Sequence, residues 1–263
     1  MRWMCLIPAA LSALAVAGSS WSFPKDGGGS KPCTECHSLS VEEASALLKP
    51  FVEKVIAVQA GEVKGLWIVD VESRGKKGPV YVDFSKKHLI SGNVIKIETR
   101  ENLTQARLME LNKIDVSKIP LDDAIVIGKA GAKHRIIVFD DPECPYCQKI
   151  QVEMNKVTSQ RQDVAFLIKM FPLAIHPKAY EKAKAIVCEK SAQMLEDSLA
   201  GKEIPPPKCE TKQVDENMAL AQKLGITGTP TLVFPDGKVV PGYLPAEKIL
   251  EMLGGSQAKP GQR

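Results

Sequence analysis

A chain of 263 residues that is 44% hydrophobic has apolar surface for one large core or two modest ones, and two domains fit its length better. Its formal net charge of +4 comes from 35 basic and 31 acidic residues mixed along the sequence, which argues against nucleic acid as a partner. Past the N-terminus no run approaches the ~20 apolar residues of a membrane span, which argues against an integral membrane protein.

In chain order, Arg2 precedes an apolar stretch from Cys5 that closes on Ala15-Val16-Ala17. That small-residue ending reads as a cleavage site, so residues 1–17 are expected to be a signal peptide and the mature protein to be exported. The glycine-rich stretch 23–32 reads as part of a flexible leader, residues 18–40. Ser40 with Glu43 resembles a capping box, and Ala44, Leu47, Leu48, Phe51 and Val55 recur at helical spacing, which predicts a helix over 41–58. Runs at 65–71, 79–84 and 88–97 are rich in β-branched and aromatic residues and predict strands. A small α+β domain is therefore expected over 41–100.

Within a connector spanning 101–123, Leu103, Ala106, Leu108 and Leu111 form a narrow apolar stripe on an otherwise polar helix. From 124 to 255 the pattern alternates. Strands are predicted at 124–127, 135–139 and 164–170, helices over 178–199 and 211–224, a hairpin around Pro235-Asp236-Gly237, and a closing helix over 246–253. Residues 256–263 read as a disordered tail.

Removal of the signal peptide also removes Cys5 and leaves Cys33, Cys36, Cys144, Cys147, Cys188 and Cys209. An even set suits an exported, oxidising setting. Fifteen connectivities are open to six cysteines, and sequence order suggests three local pairs.

The segment Cys144-Pro145-Tyr146-Cys147 falls where a strand runs into a helix. The first cysteine then lies beside unpaired backbone N–H groups and the positive end of the helix dipole, which favour thiolate over thiol. Cys144 is thus the expected nucleophile. Cys147, three residues on along the same face, can attack Cys144 in a mixed disulfide and release a bound partner. Pro145 suits a first-turn position whose N–H has no intrahelical acceptor. Half of a zinc site is the other use of a C-x-x-C, with Cys33 and Cys36 as the other half. The long separation of the two motifs and the strand-to-helix setting argue against it, and no metal site is expected. Asp140, Asp141 and Glu143 could modulate the Cys144 pKa by repulsion, but read first as a solvated turn, and Tyr146 reads as a surface residue facing substrate.

A second signal is Gly228-Thr229-Pro230-Thr231, a proline at the very start of a strand before the hairpin. Proline is the residue for which a cis peptide is cheap. A cis Thr229-Pro230 bond facing Cys144 would aim backbone groups at an extended substrate. The plainer reading is a proline at a sheet edge.

Taken together these residues resemble, over roughly 41–253, the periplasmic disulfide isomerases of the DsbC/DsbG type. Signal peptide, small N-terminal domain, linker helix and a thioredoxin fold carrying C-x-Y-C and Thr-cis-Pro occur in the same order. Phe171-Pro172-Leu173, His176-Pro177 and Val240-Pro241-Gly242-Tyr243 also look like that family. The resemblance implies a periplasmic, V-shaped homodimer whose two sites face a shared cleft for misfolded or mis-oxidised exported proteins. It also implies a membrane thiol reductase as partner, and Thr229, Pro230 and Tyr146 at the substrate. Cys188 and Cys209 match the place where such isomerases carry a structural disulfide, and closing a loop of about 22 residues is worth roughly 3 kcal/mol.

Cys33-Thr34-Glu35-Cys36-His37 departs from that family pattern. It matches the attachment motif of a c-type haem, both thiols forming thioethers and His37 serving as axial ligand. An auxiliary dithiol, a plain disulfide and an incidental match are the other readings; the resemblance itself requires no cofactor. His88, His134 and His176 are expected at the surface or in turns without a catalytic part, and Trp67 and Tyr81 in the packing of the small domain. Disulfide isomerase is the leading functional reading. A disulfide oxidase or reductase using the same cysteines, a haem electron-transfer protein and a thiol-independent holdase are the competing ones.

Overall fold

The structure is a computed structural model and describes residues 37–254. The signal peptide, most of the leader and the tail expected from the sequence lie outside the described residues.

The first layered unit begins with helix α1 (Val41–Leu48), whose N-cap Ser40 accepts a hydrogen bond from the Glu43 backbone N–H at 3.1 Å. The expected helix over 41–58 is corrected here, because it stops at Leu48, ten residues early. Pro50 has no N–H to continue the ladder, and the β-branched run beyond it enters a sheet instead. Strands β1 (Lys54–Ala60), β2 (Leu66–Ser73), β3 (Lys76–Asp83) and β4 (Leu89–Ile90) form an antiparallel sheet in that order. The third expected run, 88–97, contributes only its first two apolar residues. Beyond Ser91-Gly92 the chain turns away, and Ile95 makes a single bridge to Asn102.

Period-two alternation sorts β2 into two faces. Trp67, Val69 and Val71 pack with Val82, Ala44 and Leu48 in one core. Asp70, almost fully buried, lies on the other face, where α2 (Leu103–Leu111) covers it. Arg107 Nε donates to Asp70 Oδ1 at 3.0 Å and its second nitrogen binds the other oxygen. The Tyr81 hydroxyl bonds Thr104 on the same face. The connector helix is therefore fastened to the sheet by a charged fork as well as by its narrow apolar stripe.

A short 3-10 turn (Val116–Lys118) leads to the second sheet. Its strands are β5 (Ile125–Gly128), β6 (His134–Asp140), β7 (Val164–Met170), β8 (Thr231–Val233) and β9 (Val239–Pro241), in the order β5-β7-β6-β8-β9. Only β6 and β7 are parallel, joined by α3 (Pro145–Gln160). One face packs Ile136, Val138, Phe166 and Ile168 against Cys147, Ile150, Met154 and Val157 of α3, with α4 (Ala179–Glu189), α5 (Ala192–Leu199) and α7 (Ala246–Met252) beside it. The other packs Ile137, Phe139, Leu167 and Val233 against Ile119, Ala221 and Ile226 near α6 (Gln213–Lys223). The single helix expected over 178–199 is two, because Lys190 turns left-handed at φ 46° and Ser191 starts a new cap.

Two contacts join connector and second sheet. Lys169, fully buried in β7, donates to Asp123 and to the Pro120 carbonyl (2.8 Å), while Asn217 Nδ2 donates to the second Asp123 oxygen (2.7 Å). A buried lysine must find partners of this kind to remain charged. At the tip of the β8–β9 hairpin, Gly237 has φ +87°, and its carbonyl accepts the Ile114 N–H at 2.9 Å. A Cβ at 237 would overlap the Ile114 carbonyl oxygen.

Candidate active site

The C-terminal end of β6 sets the site. Asp141 Oδ1 accepts the Glu143 N–H (2.8 Å) and its backbone carbonyl accepts the Cys144 N–H (3.1 Å), a tight turn that delivers Cys144 to the N-cap of α3 with Pro145 next. From behind, the Ser198 hydroxyl of α5 donates to the Pro142 carbonyl at 2.8 Å. Cys144 and Cys147 are both free thiols, Cys147 fully enclosed.

The two sulfurs are electrically unlike. The Cys144 pKa is pushed down to about 5, chiefly by the hydrogen bond it receives from Cys147 as a thiolate, against the cost of burial, with Thr229 and the first backbone N–H groups of α3 adding to it. Burial first, then the adjacent Cys144 and Asp140, holds the Cys147 thiol far above its ordinary range. Of the two, Cys144 is the thiol that ionises more readily.

Asp140 stands beside Cys147. Ile136, Val138 and Asp140 alternate on β6, so its side chain shares the face that packs on α3. It is fully buried, neither carboxylate oxygen has a fixed hydrogen-bond partner, and burial pushes its pKa up to about 7. The solvated turn expected for Asp140 and Asp141 is corrected: both are fully buried. Asp141 is satisfied by Glu143, by the Leu173 N–H (2.7 Å) and by His176 Nδ1 (2.8 Å). His176, expected at the surface or in a turn, is therefore bonded beneath the site. Glu143 is partly exposed, pairs with Lys182 at 2.8 Å and accepts the Lys178 N–H.

The structure brings Thr229 and Pro230 to Cys144. Their peptide bond is cis, and Cys144 Sγ donates to the Thr229 carbonyl at 3.5 Å. The loop is braced where Thr231 Oγ1 donates to the Gly228 carbonyl and the Gly242 N–H to the Pro230 carbonyl, both at 2.7 Å. Tyr146 is 58% exposed, with the Lys149 ammonium 5.1 Å from its ring centroid. Away from the site, Cys188 and Cys209 form a disulfide between the last turn of α4 and the segment before α6. Of the Cys33-x-x-Cys36-His37 motif only His37 is among the described residues. No cluster of three or more potential metal ligands occurs among the described residues, and no described helix is long and apolar enough to cross a membrane.

Sequence reasoning missed two members of this cluster. Asp140 was legible from the alternation of β6. His176 was not, since only the path of the loop after β7 brings it back across 35 residues.

A redox-competent dithiol at the start of a helix, opposite a cis-proline loop on a β-α-β core, defines a thiol-disulfide oxidoreductase of thioredoxin fold. Comparison with known proteins narrows the class. A thioredoxin-like domain family matches residues 121–256, and the disulfide bond isomerase protein N-terminal domain family matches 39–105. The chain is 33% identical over 191 residues to the thiol:disulfide interchange protein DsbC of Salmonella typhimurium, covering 71% of this chain and 75% of that one. It is 32% identical over 175 residues to the probable thiol:disulfide interchange protein DsbC of Bordetella avium, a match spanning 66% of this chain and 61% of the relative's length. Among solved structures, a disulfide interchange protein from Neisseria gonorrhoeae aligns with a TM-score of 0.45 at 30% identity, covering 53% of this chain and 100% of that one. The chain belongs to the DsbC/DsbG-type thiol:disulfide interchange proteins. Both family matches begin after Cys36, so the haem reading of that motif draws no support from them.

Proposed function

We propose that this protein is a disulfide isomerase that reshuffles wrong disulfides in exported proteins, with Cys144 as nucleophile and Cys147 as resolving thiol. The observation that carries the reading is the inequality of the two sulfurs, one favouring thiolate and one held as thiol. The Cys144 thiolate attacks a substrate disulfide, forming a Cys144–substrate disulfide and releasing a substrate thiolate. Attack on that mixed disulfide by another substrate thiolate forms a new pairing and returns Cys144 as thiolate, with no net oxidation.

When the exchange stalls, Asp140 takes the proton of Cys147. The Cys147 thiolate then attacks the Cys144 sulfur, leaving a Cys144–Cys147 disulfide and a reduced substrate thiol. The two electrons lost must be returned by a dithiol donor, and a membrane thiol reductase fits that part. Thr229, Pro230 and exposed Tyr146 are the groups on which an extended substrate would lie, and the Cys188–Cys209 disulfide serves the fold. Periplasmic location and homodimerisation belong to the same reading, supported by the DsbC relatives and by the signal-like N-terminus. No cofactor enters this chemistry.

The test is recovery of activity from an enzyme substrate with scrambled disulfides, together with the redox state of Cys144 and Cys147 in exported protein. Catalysed recovery with the pair mostly reduced is expected. A pair held oxidised, with rapid oxidation of reduced substrate and no reshuffling, would make the protein an oxidase.

A further inference from the structure

Beneath the turn that presents Cys144 sits a pair of charges that the exchange steps do not consume. Asp141 is fully buried, accepts the Glu143 N–H on its side chain and holds the Cys144 N–H on its backbone carbonyl at 3.1 Å. A buried carboxylate there opposes a second negative charge on Cys144. His176, from the loop between β7 and α4, places Nδ1 2.8 Å from Asp141 Oδ2 with its side chain 18% exposed. The other charged or titratable groups facing it are Glu143 and Cys144, ahead of α3. Glu143 is itself engaged by Lys182 of α4 at 2.8 Å. Among the described residues, His176 is the basic side chain paired with Asp141.

We propose that His176 is a positioning residue for the redox reaction: as an imidazolium bonded to Asp141, it cancels the carboxylate charge under Cys144 and so sustains the attacking thiolate. This rests on Cys144 being the nucleophile. The hydrogen bond His176 donates to Asp141 raises its pKa, burial opposes it, and the charges of Asp141, Cys144 and Glu143 raise it further. The imidazolium therefore persists to higher pH than that of an unpaired histidine. Once His176 loses its proton, the charge of Asp141 is left uncompensated and a Cys144 thiolate becomes costlier. The dependence is reciprocal, since a proton on His176 that favours the thiolate must be favoured by it to the same degree. When Cys144 enters a disulfide its charge disappears, and His176 should release its proton more readily.

The decisive measurement is an NMR titration of the His176 imidazole in the full chain, reduced and then with Cys144–Cys147 oxidised, the resonance being identified by its loss in His176→Asn. The midpoint should be higher in the reduced form by roughly half to one pH unit, the scale of a nearby, partly solvated charge. Equal midpoints overturn the proposal. A second arm follows the ultraviolet absorbance of the Cys144 thiolate against pH. In His176→Asn, which keeps an amide for Asp141 without the charge, the Cys144 midpoint should rise by a similar amount, and in His176→Lys it should return toward wild type. A merely structural role would lower the unfolding temperature of His176→Asn and leave the Cys144 titration where it was. If Cys144 of the unaltered protein stays a thiol through neutral pH, the nucleophile reading itself fails, an outcome distinct from a redox-independent His176.

Discussion

The thiol of Cys144 and the carbonyl oxygen of Thr229, 85 residues apart in the chain, meet at 3.5 Å. The contact joins the start of α3 to the cis-proline loop, so the sulfur proposed as nucleophile and the backbone proposed to receive a substrate are held by one geometry. On the proposed reading, a substrate disulfide approaching Cys144 displaces this bond.

Cys144→Ser should abolish disulfide exchange, because a serine hydroxyl stays protonated where the Cys144 thiol ionises. Cys147→Ser should instead leave attack intact and block release. Non-reducing gels of the Cys147 variant should show complexes with substrate that disappear on reduction. Their absence would reverse the assignment of the two cysteines.

Asp140→Asn separates kinetics from stability. With an Asp140 pKa of about 7, release by Cys147 should quicken as pH rises through neutrality. The variant should lose that limb and slow release by about 100-fold, the low end for a general base. Stability should move the other way. Between the ordinary 3.8 and about 7 the folded protein binds more protons than the unfolded chain, so stability falls as pH rises across that window. Asp140→Asn should therefore stabilise the reduced protein by ~4 kcal/mol at about pH 8 and by almost nothing at about pH 3, read from urea unfolding. A variant equally stable at both would mean that Asp140 is not the group so perturbed.

Replacing Cys188 and Cys209 together by serine opens a crosslink spanning 21 residues. The expected loss is ~3 kcal/mol of unfolding free energy, from the larger unfolded ensemble. The exchange rate of the folded variant should stay near wild type; a proportionate fall in both would point to a redox part for this pair.

Arg107→Ala leaves Asp70 buried without its cation. Because the arginine is itself 30% exposed, the cost should fall below the 3–5 kcal/mol of a fully buried pair, to about 2 kcal/mol. Asp70→Asn in the same chain should recover part of it, which differential scanning calorimetry of the double variant would show.

Much of this architecture follows from local signals. Ser40, the C-P-Y-C turn and Pro235-Asp236-Gly237 each announce an element through the chemistry of its ends. Where the pattern misled, a residue with two meanings was responsible. Phe51 and Val55 continue the spacing of α1, yet they lie past a proline that cannot donate to the helix, and Val55 belongs to β1. Lys190 has ordinary helix propensity, and its left-handed turn is set by the packing of α4 and α5. The dithiol and Thr229-Pro230 are visible because each needs a particular residue type. The His176–Asp141 pair is not, because a histidine in a loop has no periodicity and its partner looks like any acidic turn residue.

The tip of the β8–β9 hairpin holds a tolerance measured in a single hydrogen atom. Turn geometry alone would ask for glycine at 237, but the Ile114 carbonyl leaves no room for a methyl group either. The strand that follows the cis-proline is thus shimmed against the chain arriving from the other sheet. Gly237→Ala would act as a wedge, driving apart the connector and the hairpin and transmitting its displacement along β8 toward Pro230. A residue remote from both sulfurs would then set the alignment of the loop that faces them.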